Sequence, residues 1–136
     1  MGYEMTTMTH AWNGAESEST QRSRAVVAIL WTLQILSAAM FLMAGVSKLA
    51  GAAAMVQTFD VIGVGQWFRY LTGAIEVVGG VLLLIPSAAS YGASVLAMTM
   101  VGAIITHLFI IGGSPVVPIL LLASTTTIAW FRRGDR

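Results

Sequence analysis

The chain has 136 residues, 57% of them hydrophobic and only 10% charged, with a mean hydropathy of +0.81. A soluble domain carries about 45–50% apolar and about 25% charged residues, so this chain lacks the polar residues to clothe a soluble core and reads as a polytopic membrane protein. Its net charge of +1 argues against nucleic-acid binding, and the absence of cysteine removes disulfides, thiol redox chemistry, Cys-ligated zinc and iron–sulfur clusters together.

Residues 1–23 are rich in Ser, Thr and Glu and show no apolar periodicity, which predicts a disordered polar tail. Arg22 and Arg24 end it. Residues 25–47 then form an apolar run long enough to cross a hydrocarbon core of about 30 Å at 1.5 Å per residue. The rival reading, a secretory signal with Ala52-Ala53-Ala54 near its cleavage point, is disfavoured. The run exceeds the roughly 7–15 residues of a signal's apolar region, and further apolar segments follow.

The one long loop comes next. Its Met55-Val56-x-x-Phe59 spacing predicts a short interfacial helix. A second span covers residues 67–85 and is closed by Pro86. A third covers residues 91–111 and is closed by Gly112-Gly113-Ser114-Pro115. The fourth, residues 116–131, carries Pro118 in its first turn, where proline is tolerated. It is the shortest and needs a thin bilayer or flanking anchors. Residues 24–133 thus form the transmembrane domain, and residues 134–136 a short basic tail.

The positive residues orient it. Arg22 and Arg24 precede the first span, and Arg132, Arg133 and Arg136 follow the fourth, against only Lys48 and Arg69 on the other side. The expectation is an all-α integral membrane protein: a four-transmembrane-helix bundle with both termini cytoplasmic.

Topology then sets depth. Lys48 falls at the outer end of the first span and Arg69 at the start of the second. Glu76 falls about two turns further in, and His107 about one turn from the outer end of the third. A carboxylate at bilayer depth costs at least a few kcal/mol by insertion scales, so Glu76 calls for a partner or a task. On the first span Gln34, Ser37, Ala38, Phe41, Gly45 and Lys48 recur in steps of three and four. On the second, Thr72, Gly73, Glu76, Gly79, Gly80 and Leu83 do the same. Small residues let helices approach closely in lipid, so these faces are expected to meet, with Met100, Ala103 and His107 of the third span joining them.

Each polar residue also has a plainer reading. Lys48 can snorkel to the headgroups. Arg69 can be an interfacial anchor beside Trp67 and Tyr70. His107 and Gln34 can be interhelical hydrogen-bonding groups. The Ser124-Thr125-Thr126-Thr127 run can satisfy itself on carbonyls one turn back. His10 and His107 are the only histidines, too few for bis-histidine haem ligation or a zinc triad, so no metal site is expected.

Phe41-Leu42-x-x-Gly45-x-x-Lys48-Leu49 and Gly73-x-x-Glu76-x-x-Gly79-Gly80-x-Leu82-Leu83 resemble the DoxX / DoxX-like membrane family, over about residues 25–132. The resemblance implies a four-helix inner-membrane protein. Some members are associated with quinone-linked oxidation of sulfur compounds near a terminal oxidase, others with oxidative-stress complexes. With no cysteine, a redox centre would be a bound quinone or belong to a partner subunit.

The functional expectation is an accessory subunit of such a redox complex, in the inner (plasma) membrane, associated with other subunits or with copies of itself. Its ligand-binding candidates are Lys48, Glu76, His107, Gln34 and Arg69, with Glu76 and His107 as candidate proton donors. Two alternatives stand beside it. In one the protein binds or assembles without turnover, and Glu76 and Lys48 form a structural ion pair. In the other it is a small oligomeric carrier for an organic acid or hydrophobic compound.

Overall fold

The computed structural model describes residues 2–136, and all the regular elements among them are helical. In chain order they are α1 (Gly2–Ala50), α2 (Ala53–Ile62), α3 (Gln66–Leu83) and α4 (Ala89–Thr106). A π-helical turn (His107–Ile111), α5 (Val116–Arg132) and a closing 3-10 turn (Arg133–Asp135) follow. The chain divides into two compact units, the first ending at Thr32 and the second running Leu33–Arg136.

In the first unit, helix begins at Gly2, where the sequence predicts a disordered tail over residues 1–23. Residues 4–23 are exposed, so packing does not hold them helical. A helix already formed downstream extends upstream without a new nucleation cost. Side chains such as Thr9, Ser17 and Thr20 bond carbonyls three or four residues back within the helix.

The second unit follows the apolar pattern closely. Helices α3, α4 with its π-helical turn, and α5 overlap the apolar segments at 67–85, 91–111 and 116–131, and the Met55-Val56-x-x-Phe59 motif lies in α2, with Phe59 buried. Among the described residues two helices, Glu4–Ala50 and Ala89–Ile111, are long and apolar enough to cross a membrane. Leu33, Ile35, Leu36, Met40 and Met43 alternate around the helix with the predicted stripe. In that stripe Gln34, Ser37, Ala38, Phe41 and Gly45 are buried, while Ile35, Leu36, Met40 and Met43 are exposed. On α3, Gly73, Glu76, Gly79, Gly80 and Leu83 are buried in the same way.

Glycine sets the helix spacing. A Cβ on Gly45 would lie 2.8 Å from the Gly73 carbonyl oxygen, and one on Gly79 would lie 2.6 Å from Leu96 Cγ. Backbones approach to this distance only where a side chain is missing. Beyond these crossings, Ala38, Phe41, Leu83, Ala89, Ala93, Leu96, Met100 and Ile128 form a continuous apolar core.

Candidate functional site

Lys48 follows Gly45 by three residues, and Glu76 follows Gly73 by three. The close crossing at the two glycines therefore leaves the next turn of each helix facing the other. Lys48 Nζ donates to Glu76 Oε2 at 2.8 Å, with side-chain exposures of 15% and 5%. A carboxylate removed from water this far is tolerated when it is paired and hydrogen-bonded, and Lys48 meets both conditions.

Arg69 adds a second cation. It is buried, at 4% exposure, and donates through Nη1 to the Lys48 carbonyl oxygen and through Nε to Gln66 Oε1 at 2.6 Å. The Lys48 carbonyl lies in the last turn of α1, where helical acceptors lose their intrahelical donors, so Arg69 caps that turn. Its guanidinium also lies 4.3 Å from the Tyr70 ring centroid. Gln66 continues the network, donating to the Val56 carbonyl at 3.1 Å and to Asp60 Oδ1 at 2.7 Å. A hydrogen-bonded chain thus runs from exposed Asp60 on α2 through Gln66 and Arg69 to the backbone of Lys48, whose side chain holds Glu76. Phe59 of α2 packs against Phe68 of α3, ring centroids 5.9 Å apart.

The other candidates are placed differently. His107 is half-buried and opens the π-helical turn. Its Nδ1 is 2.8 Å from the Ala103 carbonyl of its own helix, and no hydrogen bond joins it to Lys48 or Glu76 among the described residues. Turns of this type recur at functional sites, and α2 packs against both this turn and α3. Gln34 lies fourteen residues before Lys48 on α1, about 21 Å away at helical rise. It donates to the Leu83 carbonyl at 2.6 Å and accepts from Arg132 Nε at 2.8 Å. The structure therefore brings Lys48, Glu76 and Arg69 together and sets Gln34 in a separate polar cluster. That cluster includes the Ser37–Ser124 hydroxyl pair at 2.7 Å. Thr125 and Thr127 bond carbonyls four residues back.

Sequence reasoning did not single out Gln66 and Asp60. The available signal was Gln66 three residues before Arg69, on the same helical face. In the sequence Arg132 counts only as a topological charge; in the structure it turns inward to Gln34 and also pairs with exposed Asp135. Among the described residues no group of three or more His, Asp or Glu side chains could hold a metal ion. The arrangement can hold an oxygen-bearing group by charge and hydrogen bonding: Lys48 faces the Glu76 carboxylate, and Arg69 is bound to the backbone of Lys48.

These features define a helical membrane protein with one buried carboxylate–ammonium pair between glycine-packed helices. The DoxX-like family model matches residues 32–131, and the chain belongs to that family. It is also 35% identical over 74 residues to "Putative oxidoreductase CatD" of Bacillus subtilis (strain 168), a stretch covering 54% of this chain and 55% of that protein. The chain thus matches about half the length of this relative. No solved structure matches it.

Proposed function

We propose that this DoxX-like chain is an accessory subunit of a quinone-linked or oxidative-stress redox complex in the inner (plasma) membrane. In this reading it crosses four times with both termini cytoplasmic, as the grouping of Arg22, Arg24, Arg132, Arg133 and Arg136 against Lys48 and Arg69 favours. A quinone head group or small acid is held by Lys48, Glu76 and Arg69, with His107 as a second donor.

The observation that carries this reading is the mostly buried Lys48–Glu76 pair at the α1–α3 crossing. Lys48 and Glu76 form a mostly buried ion pair, and buried Arg69 binds the Lys48 backbone, so donors and a carboxyl lie together within an apolar bundle, which suits an oxygen-bearing head group. Lys48 has a flexible stem with rotatable donors and can shift from Glu76 to a ligand oxygen. The Glu76 carboxyl is then placed to pass a proton, while the electrons come from a partner subunit. The name of the Bacillus relative agrees with redox chemistry.

Quinone-linked respiration of native membranes is the test. Glu76→Gln and Lys48→Ala should each lower it with the protein still present and folded. Unchanged activity in both variants removes the reading.

The direct 2.8 Å contact between Lys48 and Glu76 favours a second reading, in which the pair only fixes helix register in a binding or assembly protein. Replacing both members by leucine distinguishes the two: function survives if the pair is structural and is lost, with folding intact, if it is a site.

A further inference from the structure

We propose that the end of the bundle formed by the start of α4 and the end of α5 binds the headgroup of an anionic phospholipid, through Arg133 and Arg136. The three arginines here have different surroundings. Arg132 turns inward to Gln34 and pairs with Asp135 at 3.0 Å, which also commits the one carboxylate side chain of this turn. Arg133 and Arg136 are exposed, and neither makes a hydrogen bond or ion pair among the described residues. Each is instead stacked on an aromatic ring: Arg133 lies 3.7 Å from the Trp130 centroid and Arg136 lies 5.1 Å from that of Tyr91.

A guanidinium lying over a ring keeps its in-plane N–H donors free, in a rigid fork that matches phosphate oxygens. The stack also settles the side chain before a ligand arrives, which reduces the ordering cost of binding. Ser90 of α4 donates to the Ala129 carbonyl of α5 at 3.2 Å. That bond fixes the helix ends carrying Tyr91 and Trp130 beside each other. Both rings are largely exposed, Tyr91 at 55% and Trp130 at 60%, and Phe131 next to them at 55%. Tyr and Trp favour the headgroup level of a bilayer, so the two forks sit where lipid phosphates lie. Two uncompensated positive charges prefer a lipid of net negative charge over a zwitterionic one, whose own cation offsets its phosphate.

The test is lipid retention by the full chain, purified and exchanged into mixtures of phosphatidylglycerol and phosphatidylcholine, with bound lipid counted by native mass spectrometry. The unmodified chain should retain phosphatidylglycerol several-fold over phosphatidylcholine. Arg133→Gln with Arg136→Gln should abolish that preference, and each single change should weaken it, with helicity unchanged because both side chains are exposed. Arg133→Lys with Arg136→Lys keeps the charge but loses the stacked fork, and should lose most of the preference. Equal retention of the two lipids by the unmodified chain overturns the proposal. So does full preference in the lysine variant, which would reduce it to unspecific charge attraction. Displacement of the lipid by inorganic phosphate, but not by chloride at the same ionic strength, would assign the site to a free anion and overturn it as well.

Discussion

Lys48 and Glu76, 28 positions apart in sequence, meet at 2.8 Å because each stands three residues beyond a glycine at the point where α1 and α3 cross. Both side chains are mostly buried. Removing one partner therefore leaves a charge in apolar surroundings, a loss of about 3–5 kcal/mol, whereas replacing both with apolar residues is close to neutral. Lys48→Leu and Glu76→Leu should each lower the unfolding midpoint in detergent markedly, and the double leucine variant should recover most of it. Equal damage in the single and double variants would mean that the pair is not coupled.

The crossing itself is sensitive to a single methyl group. A Cβ on Gly45 meets backbone, the Gly73 carbonyl oxygen at 2.8 Å, as well as Val77 Cγ2 at 2.8 Å. Backbone cannot rotate away as a side chain can. Gly45→Ala should cost about 1–3 kcal/mol, the usual range for overpacking, and should weaken the Lys48–Glu76 contact one turn on. Gly102, by contrast, has nothing within 4 Å of its added Cβ. Gly102→Ala should leave the detergent unfolding midpoint near its original value.

Much of this was legible in the sequence because helix faces obey a fixed period. The small-and-polar stripes on α1 and α3 mark most of the residues that are buried, while the Lys48–Glu76 pair is one alternative among several, because a shared face does not say which side chains reach each other. Depth along a helix was harder to use for Gln34. Its face was correct, but a face does not say which end of the bundle its partner occupies, and that partner, Arg132, lies 98 positions away. Arg69 beside Trp67 and Tyr70 had the pattern of an interfacial anchor. It turns inward because the Lys48 carbonyl at the end of α1 can accept a second donor beside its 3.3 Å bond from Gly51, and that opening depends on where α1 stops. The helical form of residues 4–23 had no sequence signal, since no apolar face marks it.

Arg69 should control the end of α1. It donates to the Lys48 carbonyl and is itself held by Gln66. Hydrogen bonds to charged groups are worth about 1.5–3 kcal/mol. Arg69→Met keeps the stem and removes the donors. Amide hydrogen exchange should then speed up in the last turn of α1 and across the α1–α2 junction, where Gly51 and Ala52 donate back to Lys48 and Ser47. The middle of α1 should stay protected. Gln66→Leu should give a weaker version of the same pattern, because it frees Arg69 on one side only. An exchange profile identical to that of the unmodified chain in both variants would show that α1 ends without help from Arg69.

Gln34 does for α3 what Arg69 does for α1. Leu83 closes α3, and its carbonyl belongs to the final turn, which lacks intrahelical donors; the Gln34 amide supplies one at 2.6 Å. The same side chain accepts from Arg132 on α5, so one buried amide ties α1 to the ends of two other helices. Gln34→Leu preserves approximate volume but removes both the donor to Leu83 and the acceptor for Arg132 Nε. A buried polar group that loses its partner costs about 1–3 kcal/mol, and this change removes one from each of two helices. The unfolding midpoint should fall by an amount comparable with Gly45→Ala. If the proposed quinone-linked role holds, that activity should remain in the folded fraction, because Gln34 lies about 21 Å along α1 from Lys48. Gln34→Glu should fall between the two, retaining the acceptor for Arg132 while losing the donor to Leu83. If Gln34→Leu instead abolished activity with stability unchanged, Gln34 would belong to the functional site.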